Sequence, residues 1–532
     1  MSRPPSHDSS QQKTSRERLL AAVGVPIIGS AALVTLVTTH AVARPPFRAA
    51  GITWRACPRY PDADLEGLGM RNGQIPRFRS MMARTECGTL RVPLSYDQPN
   101  GRKISIAVTR LRATDPAHRL GSLAVNPGGP GGSGYLMPIR LIMQSPTNAR
   151  LNQRYDIIGF DPRGVGSSTK VDCPELAHGI TPPPGPITEQ TARQAYARQV
   201  AANQACARHD PAFLSQLTTP NVARDLDQIR AALGETAISY LGTSWGTALG
   251  ASYRSLFPRS VARMWLDSVM GPDFRMDAYA DTTAQAAEQD FSRQAAWIAQ
   301  RNATYGLGTT PEAVRTAVLR LERAYDSDPK RHAHAFIDGG VIASLASQAS
   351  GHWALAAEAL KELTDAPGAA PPAARMILRT LGPPRGASDE EDNTMNRATI
   401  CNEEAGRRDF ASAWTAYRRR LARYPLTSRN AEFIPECAGW PFPVRPWRLR
   451  AEGGSLQLSG HRYETTTPYV WAKQMQAAIG GTVLTVNDDV HSSAVHVPEC
   501  AAHIVAYFDT GRPGDGQCPG APEPSATASG TR

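Results

Sequence analysis

Short apolar runs alternate with amphipathic segments along most of this 532-residue chain. Residues 87–94 and 104–108 show the two-residue alternation of antiparallel strands, whereas residues 222–233 carry apolar side chains at helical spacing. Strands that alternate with helices in this way predict an α/β fold with a largely parallel, doubly wound sheet. The other predicted strands are 122–126, 155–160, 237–241, 261–267, 455–458 and 482–486.

A different pattern runs from residue 273 to about 440, where Ala, Arg, Glu and Gln recur at helical spacing. The chain is too long for one compact core of ordinary size, so an inserted subdomain is expected. We predict that residues 44–272 and 441–518 form the two parts of the sheet-containing core and that 273–440 form a helical cap between them. Residues 519–532 are small and polar, and we expect a disordered tail.

The first 43 residues have the pattern of a targeting segment. Arg16 and Arg18 precede an apolar run over 19–37, and Ala41 to Ala43 form a small-residue cleavage site. This pattern predicts a signal peptide over 1–43 and a secreted protein. The apolar run is long enough to remain uncleaved as an N-terminal membrane anchor, and a cell-surface protein is the alternative.

Composition narrows the possible partners. The formal net charge is +10, and the basic residues are scattered along the chain instead of forming a basic stripe, which argues against nucleic-acid binding.

All eight cysteines follow the predicted cleavage site, and an even number in an exported chain predicts disulfides. No C-x-x-C spacing or dinucleotide-binding motif occurs, so we expect no metal and no cofactor. Many disulfide connectivities are possible. The simplest pairs each cysteine with its neighbour in the sequence: Cys57–Cys87, Cys173–Cys206, Cys401–Cys437 and Cys500–Cys518.

One stretch has the pattern of a catalytic motif. Gly242, Ser244 and Gly246 form a G-x-S-x-G sequence between a strand-like run and a helix-like segment. This is the context of a nucleophile elbow, a sharp turn that strains the serine backbone and lifts its hydroxyl clear of the sheet. Glycines flank the serine because a Cβ atom would collide with the neighbouring strand and helix. We therefore predict Ser244 as a nucleophile.

A serine nucleophile needs a base and an orienting acid, which follow it in the order acid, then histidine, in folds with this elbow. His491 comes just after a predicted strand, where a loop can reach the elbow, and it is the predicted base. His503 lies in an apolar, helix-like stretch and is expected to be structural. Glu464, in the loop after the preceding strand, is the predicted acid, and Asp267 is the alternative.

Two glycine-containing loops flank these segments. The loop at 127–134 holds five glycines directly after a buried strand, which lets backbone N–H groups point inward and supply half of an oxyanion hole. The loop at 161–167 is predicted to be a structural turn with a contact between Asp161 and Arg163.

Taken together, these motifs resemble the secreted tripeptidyl aminopeptidases of actinobacteria, in the proline-iminopeptidase-like branch of the α/β-hydrolases. The resemblance runs from about Trp54 to Cys518 and is weakest in the insertion. It implies an α/β-hydrolase fold and the N–H groups of Gly129 and Trp245 as the oxyanion hole. The segments that carry it are 126–134, 161–167, 224–227, 242–247 and 266–268.

The chain departs from that family at three positions. Glu464 stands where the family has Asp in an Asp-x-x-Thr-Pro motif, Trp245 stands where it usually has Tyr, and Ser492 stands where Gly usually follows the histidine. The longer Glu side chain can still serve as the acid. The resemblance also implies Ser244 as nucleophile and His491 as base.

The leading hypothesis is a serine exopeptidase that releases short peptides from substrates with free N-termini. An esterase or lipase with the same residues is an alternative, and an inactive hydrolase-fold surface protein is another. Glu403 and Glu404, next to Cys401, are predicted to bind the substrate's α-amine. The alternative is that they begin a helix, where acidic side chains favour the dipole.

Overall fold

The computed structural model describes residues 51–67, 70–177, 185–332, 335–365, 392–428, 433, 435–446 and 448–525. The predicted signal segment lies outside these residues, as do parts of the predicted cap, including 366–391, and the last seven residues of the predicted tail. None of the described helices has the length and apolar character needed to span a bilayer.

Ten strands form one mixed sheet in the order β1-β2-β3-β5-β4-β6-β7-β10-β11-β12. Strands β1, β2, β3 and β5 pair antiparallel, and every pairing from β5 to β12 is parallel. The predicted α/β fold with a mostly parallel sheet is therefore confirmed. The strands are β1 Thr53–Arg55, β2 Thr85–Pro93, β3 Lys103–Leu111, β4 Gly121–Asn126, β5 Tyr155–Phe160, β6 Ile238–Thr243, β7 Val261–Asp267, β8 Lys330–His332, β9 Ala335–Ile337, β10 Ser455–His461, β11 Thr482–Val486 and β12 Gln517–Cys518.

Helices cover both faces of the sheet, because its central strands are apolar on both sides. Tyr240 and Leu266 pack with α9, α10 and α18 on one face, whereas Leu241 and Trp265 pack with α3 and α19 on the other. The helices are α1 Asp62–Gly67, α2 Ile75–Met82, α3 Met137–Gln144, α4 Pro146–Ala149, α5 Leu151–Arg154, α6 Pro174–Ala177, α7 Glu189–Ala207, α8 Pro211–Leu214, α9 Thr219–Ala232, α10 Trp245–Leu256, α11 Met276–Ala299, α12 Asn302–Tyr305, α13 Pro311–Ser327, α14 Gly339–Leu345, α15 Trp353–Asp365, α16 Asn393–Glu403, α17 Phe410–Arg423, α18 Tyr469–Ile479 and α19 Pro498–Thr510.

Helices α11 to α17 occupy the described part of the segment predicted as a cap. They include a separate apolar cluster around Phe291, Trp297, Val314, Trp353 and Leu360. Strands β8 and β9 form a small antiparallel sheet there, which the helical spacing of the sequence did not predict.

Four disulfides join the cysteines in the neighbour pairing: Cys57–Cys87, Cys173–Cys206, Cys401–Cys437 and Cys500–Cys518. The simplest of the possible connectivities is therefore confirmed. Each closes a loop of between 18 and 36 residues, a size at which a disulfide typically stabilises a protein by about 2–4 kcal/mol.

Two local expectations differ from the structure. The predicted contact between Asp161 and Arg163 is wrong: the buried Arg163 guanidinium binds Asp225 through two hydrogen bonds of 2.7 and 2.8 Å. Local sequence patterns cannot predict an ion-pair partner that lies 62 residues away in the chain. The predicted disordered tail begins with a segment that contacts α11, since Trp297 Nε1 donates to the carbonyl oxygen of Pro524 at 3.0 Å.

Candidate active site

The G-x-S-x-G sequence forms a tight turn between β6 and α10. Ser244 has φ 57° and ψ −128°, a conformation that side-chain-bearing residues rarely adopt. A Cβ atom on Gly242 would lie 2.4 Å from the carbonyl oxygen of Gly246, and one on Gly246 would lie 2.8 Å from that of Asn126. The turn therefore requires glycine on both sides of the serine. The Ser244 N–H donates to the carbonyl oxygen of Asp267, at the end of β7, at 3.1 Å.

His491 and Glu464 form a second element of the site. His491 Nδ1 is hydrogen-bonded to Glu464 Oε1, and the imidazole is about one-third exposed whereas the carboxyl group is fully buried. Glu464 also accepts hydrogen bonds from Thr467 N and Oγ1, at 3.0 and 2.6 Å, and from Ser268 Oγ at 3.0 Å. Because every other partner of this carboxyl group is a donor, Nδ1 is assigned as the protonated nitrogen, which leaves Nε2 as an acceptor.

The turn after β7 connects the serine to this pair. The carbonyl oxygen of Asp267 accepts the hydrogen bond from the Ser244 N–H, and the hydroxyl group of Ser268, the next residue, donates to the Glu464 carboxylate. No hydrogen bond joins the side chains of Ser244 and His491, both of which the structure describes. A bond between nucleophile and base commonly becomes short only in the substrate complex.

The glycine-rich loop after β4 lies against the elbow. A Cβ atom on Gly128 would lie 2.6 Å from the carbonyl oxygen of Thr243 and 3.1 Å from the backbone nitrogen of Trp245. Gly128 and Gly129 both have positive φ, 105° and 115°. Within the described residues, the N–H groups of Gly129 and Trp245 donate no hydrogen bond. Two unused donors thus flank Ser244 on adjoining segments.

Glu403 is linked to the residue next to the serine. The indole Nε1 of the buried Trp245 donates to Thr219 Oγ1 at 3.1 Å. Thr219 in turn donates to Glu403 from its hydroxyl, at 2.9 Å, and from its backbone N–H, at 2.5 Å. Because Thr219 is the first residue of α9, the Glu403 carboxylate also lies at the positive end of a helix dipole.

Glu404 has different surroundings. Its carboxylate accepts from Gly406 N at 2.6 Å, lies 3.4 Å from Arg408 Nε, and lines a cavity of about 280 Å³ beside Tyr279 and Phe433. The expectation that the acidic pair begins a helix is wrong: Glu403 is the last residue of α16 and Glu404 follows it. An acidic pair alone does not determine which end of a helix it occupies.

Asp267, the alternative acid, belongs to a separate buried cluster. His461 Nε2 lies 3.1 Å from Asp267 Oδ1, and His461 Nδ1 lies 2.6 Å from Asp488 Oδ1. Burial alone would lower the pKa of His461, but the two aspartates outweigh it and raise that pKa well above its ordinary value. Ser459 Oγ also donates to Asp267 at 2.6 Å. The structure therefore pairs His491 with Glu464 and gives Asp267 a different histidine.

Sequence reasoning missed Ser268, Thr219 and His461. The available signal was positional: Ser268 follows the carboxyl end of β7, and His461 and Asp488 lie at or just after the ends of β10 and β11. His503 is exposed on α19.

Comparisons with known proteins agree with this geometry. The family model for the alpha/beta hydrolase fold matches residues 122–333, and the model for TAP-like proteins matches residues 424–518. A tripeptidyl aminopeptidase of Streptomyces lividans is 34% identical over 456 residues, which cover 80% of this chain and 82% of the relative.

Two further relatives are 28% identical. The serine protease Hip1 of Mycobacterium tuberculosis aligns over 79% of this chain and 84% of its own length. Carboxylesterase B of the same species aligns over 81% of this chain and 85% of its own length. The chain belongs to the tripeptidyl aminopeptidase family of α/β-hydrolases and is a serine hydrolase of the aminopeptidase type.

Proposed function

We propose that the protein is a secreted exopeptidase that releases tripeptides from the free N-termini of peptides, with Ser244, His491 and Glu464 as its catalytic triad. The observation that carries this proposal is the hydrogen bond between His491 and the buried Glu464, on the edge of the sheet where the strained Ser244 turn lies. The tripeptide product is proposed by analogy with the Streptomyces relative.

The proposed reaction has two stages. His491 Nε2 takes the proton of Ser244 Oγ as the oxygen attacks the scissile carbonyl, and it then returns a proton to the departing amine. The tripeptide remains on Ser244 as an ester, which water hydrolyses with His491 again as the base. Glu464 holds the Nδ1–H tautomer and stabilises the imidazolium that forms in each stage.

The N–H groups of Gly129 and Trp245 are proposed to bind the developing oxyanion. Their lack of other acceptors, and the packing of Gly128 against Trp245 N, support this role. Donors that are fixed before the reaction stabilise the transition state without reorganisation, and one such donor contributes on the order of 10²–10³-fold to kcat.

Glu403 is the stronger candidate for binding the substrate's ammonium group. It is joined through Thr219 to Trp245, the residue that follows Ser244, whereas Glu404 lies beside the Arg408 guanidinium on the other side of the end of α16. A fixed distance from the Glu403 carboxylate to Ser244 would set the length of the released peptide.

The four disulfides support an exported protein, because disulfides persist in oxidising compartments. We propose secretion after removal of residues 1–43. Retention of that segment as a membrane anchor is the alternative.

The test is a substrate panel of a tripeptide p-nitroanilide with a free amine, its N-acetylated analogue, a single-residue p-nitroanilide and a p-nitrophenyl ester. The proposal predicts that the free tripeptide has the highest kcat/KM and that Ser244→Ala hydrolyses none of the four. Preference for the ester would instead favour an esterase, the activity named for the carboxylesterase relative. Near-normal turnover by Ser244→Ala would exclude a serine mechanism.

Glu403→Gln and Glu404→Gln test the anchor as a matched pair. Glu403→Gln should lower kcat/KM for the free-amine tripeptide by about 10-fold or more, with little change for the neutral ester. Glu404→Gln should retain most of the preference for a free amine. If both variants keep that preference unchanged, the anchor lies elsewhere.

A further inference from the structure

Ser268 occupies a backbone conformation that its residue type does not favour. It directly follows β7, is completely buried and has φ 51°. Glycine adopts this left-handed conformation without strain, whereas a residue with a Cβ atom adopts it at a cost. A serine here therefore points to a role for its hydroxyl group.

The two hydrogen bonds of the Ser268 hydroxyl have a fixed direction. The Ser492 N–H donates to Ser268 Oγ at 2.9 Å, and a backbone N–H can only donate. The single hydroxyl proton is thus available for Glu464 Oε2, which lies 3.0 Å away. Ser268 therefore connects the buried carboxylate to the backbone of the residue that follows His491.

These contacts close a ring. Glu464 binds the His491 side chain, His491 is covalently followed by Ser492, Ser492 donates to Ser268, and Ser268 donates back to Glu464. The backbone of Ser492 has φ 65°, so the loop also turns sharply at this point. A ring of this kind fixes both the carboxylate and the imidazole that it orients.

The same turn reaches the nucleophile. The carbonyl oxygen of Asp267, the residue before Ser268, accepts the Ser244 N–H at 3.1 Å. Adjacent residues of one turn therefore contact the elbow, the carboxylate and the histidine loop. A shift of this turn would change the distance from Ser244 to His491.

We propose that Ser268 is a positioning residue for peptide hydrolysis: it holds Glu464 and the His491 loop in a fixed position relative to the Ser244 elbow. This inference rests on the triad proposed above. Ser268 acts through Glu464 and His491 and does not contact the substrate. Since a misplacement of about 1 Å can cost on the order of 10²-fold in rate, loss of its hydroxyl should lower kcat by about 10- to 100-fold.

The test uses Ser268→Gly, because glycine removes the hydroxyl and adopts φ 51° without strain. The expected result is the stated fall in kcat with KM within about 2-fold of the wild-type value. The acid limb of kcat/KM should also move to higher pH, because a carboxylate with one donor fewer attracts the imidazolium of His491 more strongly.

Ser459→Ala is the matched control. Ser459 is also a fully buried serine that donates to a carboxylate, Asp267 on the neighbouring strand, but that carboxylate does not contact His491. This variant should keep the wild-type kcat and pH profile even where it lowers the melting temperature.

A double-mutant cycle separates positioning from general destabilisation. If Ser268 acts through Glu464, Ser268→Gly should lower kcat little further in a Glu464→Gln background. Equal fold losses in both backgrounds would overturn the inference. The inference would also be overturned if Ser268→Gly kept the wild-type kcat and pH profile while Ser244→Ala was inactive. That result would not contradict the proposed triad.

If Ser268→Gly does not fold, Ser268→Cys is the second variant, because its thiol retains a weak donor. It should show an intermediate kcat, and full activity in that variant would also overturn the inference.

Discussion

Two histidine–carboxylate clusters lie at the same edge of the sheet and differ in access. His491 is about one-third exposed and uses one ring nitrogen, which binds Glu464. His461 is completely buried and uses both nitrogens, one for Asp267 and one for Asp488. A general base needs a free nitrogen that a substrate proton can reach, so only the first cluster can perform that chemistry.

The second cluster joins strand ends instead. Asp267 is the last residue of β7, His461 the last of β10, and Asp488 follows β11 by two residues. The presence of a histidine and a carboxylate therefore does not by itself indicate a base. Burial and the use of the second ring nitrogen distinguish a pair that can exchange a proton with a substrate from one that only joins strand ends.

The largest expected difference between the clusters is in activity. His491→Ala should lower kcat on the order of 10⁴-fold or more, because Ser244, the proposed nucleophile, loses its proposed base. His461→Gln, assayed per folded molecule, should lose much less. Rates are measured on the free-amine tripeptide and divided by the concentration of folded protein. Comparable losses in both variants would mean that the distinction drawn from burial is wrong.

The next difference is in stability. His461→Leu leaves two buried carboxylates without their shared partner, and loss of one member of a buried ion pair costs about 3–5 kcal/mol. His491→Ala removes one hydrogen bond from the buried Glu464 carboxylate, which keeps those from Thr467 and Ser268, so it should cost less, about 1–1.5 kcal/mol. Chemical denaturation of the three proteins measures both values. A His461→Leu protein as stable as the wild type would show that the cluster is not a structural element.

The smallest difference is in the pH dependence of stability. The folded pKa of His461 is raised above 6.5, so its stabilisation is complete below that value and is lost as pH rises through the folded pKa. The burial of Asp488 would raise its pKa, but hydrogen bonds, led by that from His461, lower it below 3.8. Its stabilisation is present above 3.8 and is lost as pH falls through the folded value.

The gap in melting temperature between the wild type and His461→Leu should therefore be widest between about pH 4 and 6.5 and should narrow in alkaline solution. Thermal melts across this range measure the gap. A gap that stays constant from acid to alkaline pH would show that the two carboxylates do not hold His461 in its charged form.

Much of the fold could be predicted because its signals are local. Strands β7 and β11 have their predicted bounds, since each is a short apolar run between turn residues. The Ser244 turn could be predicted from the two glycines that its geometry requires. The contact of Glu464 with His491 could be proposed only because their order and their positions after two strands fit a known arrangement.

The missed features depend on long-range contacts. Thr219 meets Glu403 across 184 residues, and Ser268 meets Glu464 across 196. No local spacing encodes such pairs, because the topology of the sheet brings them together. The same reason explains why Asp267 remained open as the acid until the position of His461 was known.

The most direct test of the central claim compares Glu464→Gln with Asp267→Asn. Each change removes one negative charge and preserves the size of a fully buried side chain. Of these two carboxylates, Glu464 contacts His491 and Asp267 contacts His461. Glu464→Gln should therefore lower kcat by at least about 100-fold more than Asp267→Asn. Ser244→Ala is the inactive reference. If Asp267→Asn is instead the variant with the larger loss per folded molecule, the triad acid lies on the earlier strand and the assignment of Glu464 is wrong.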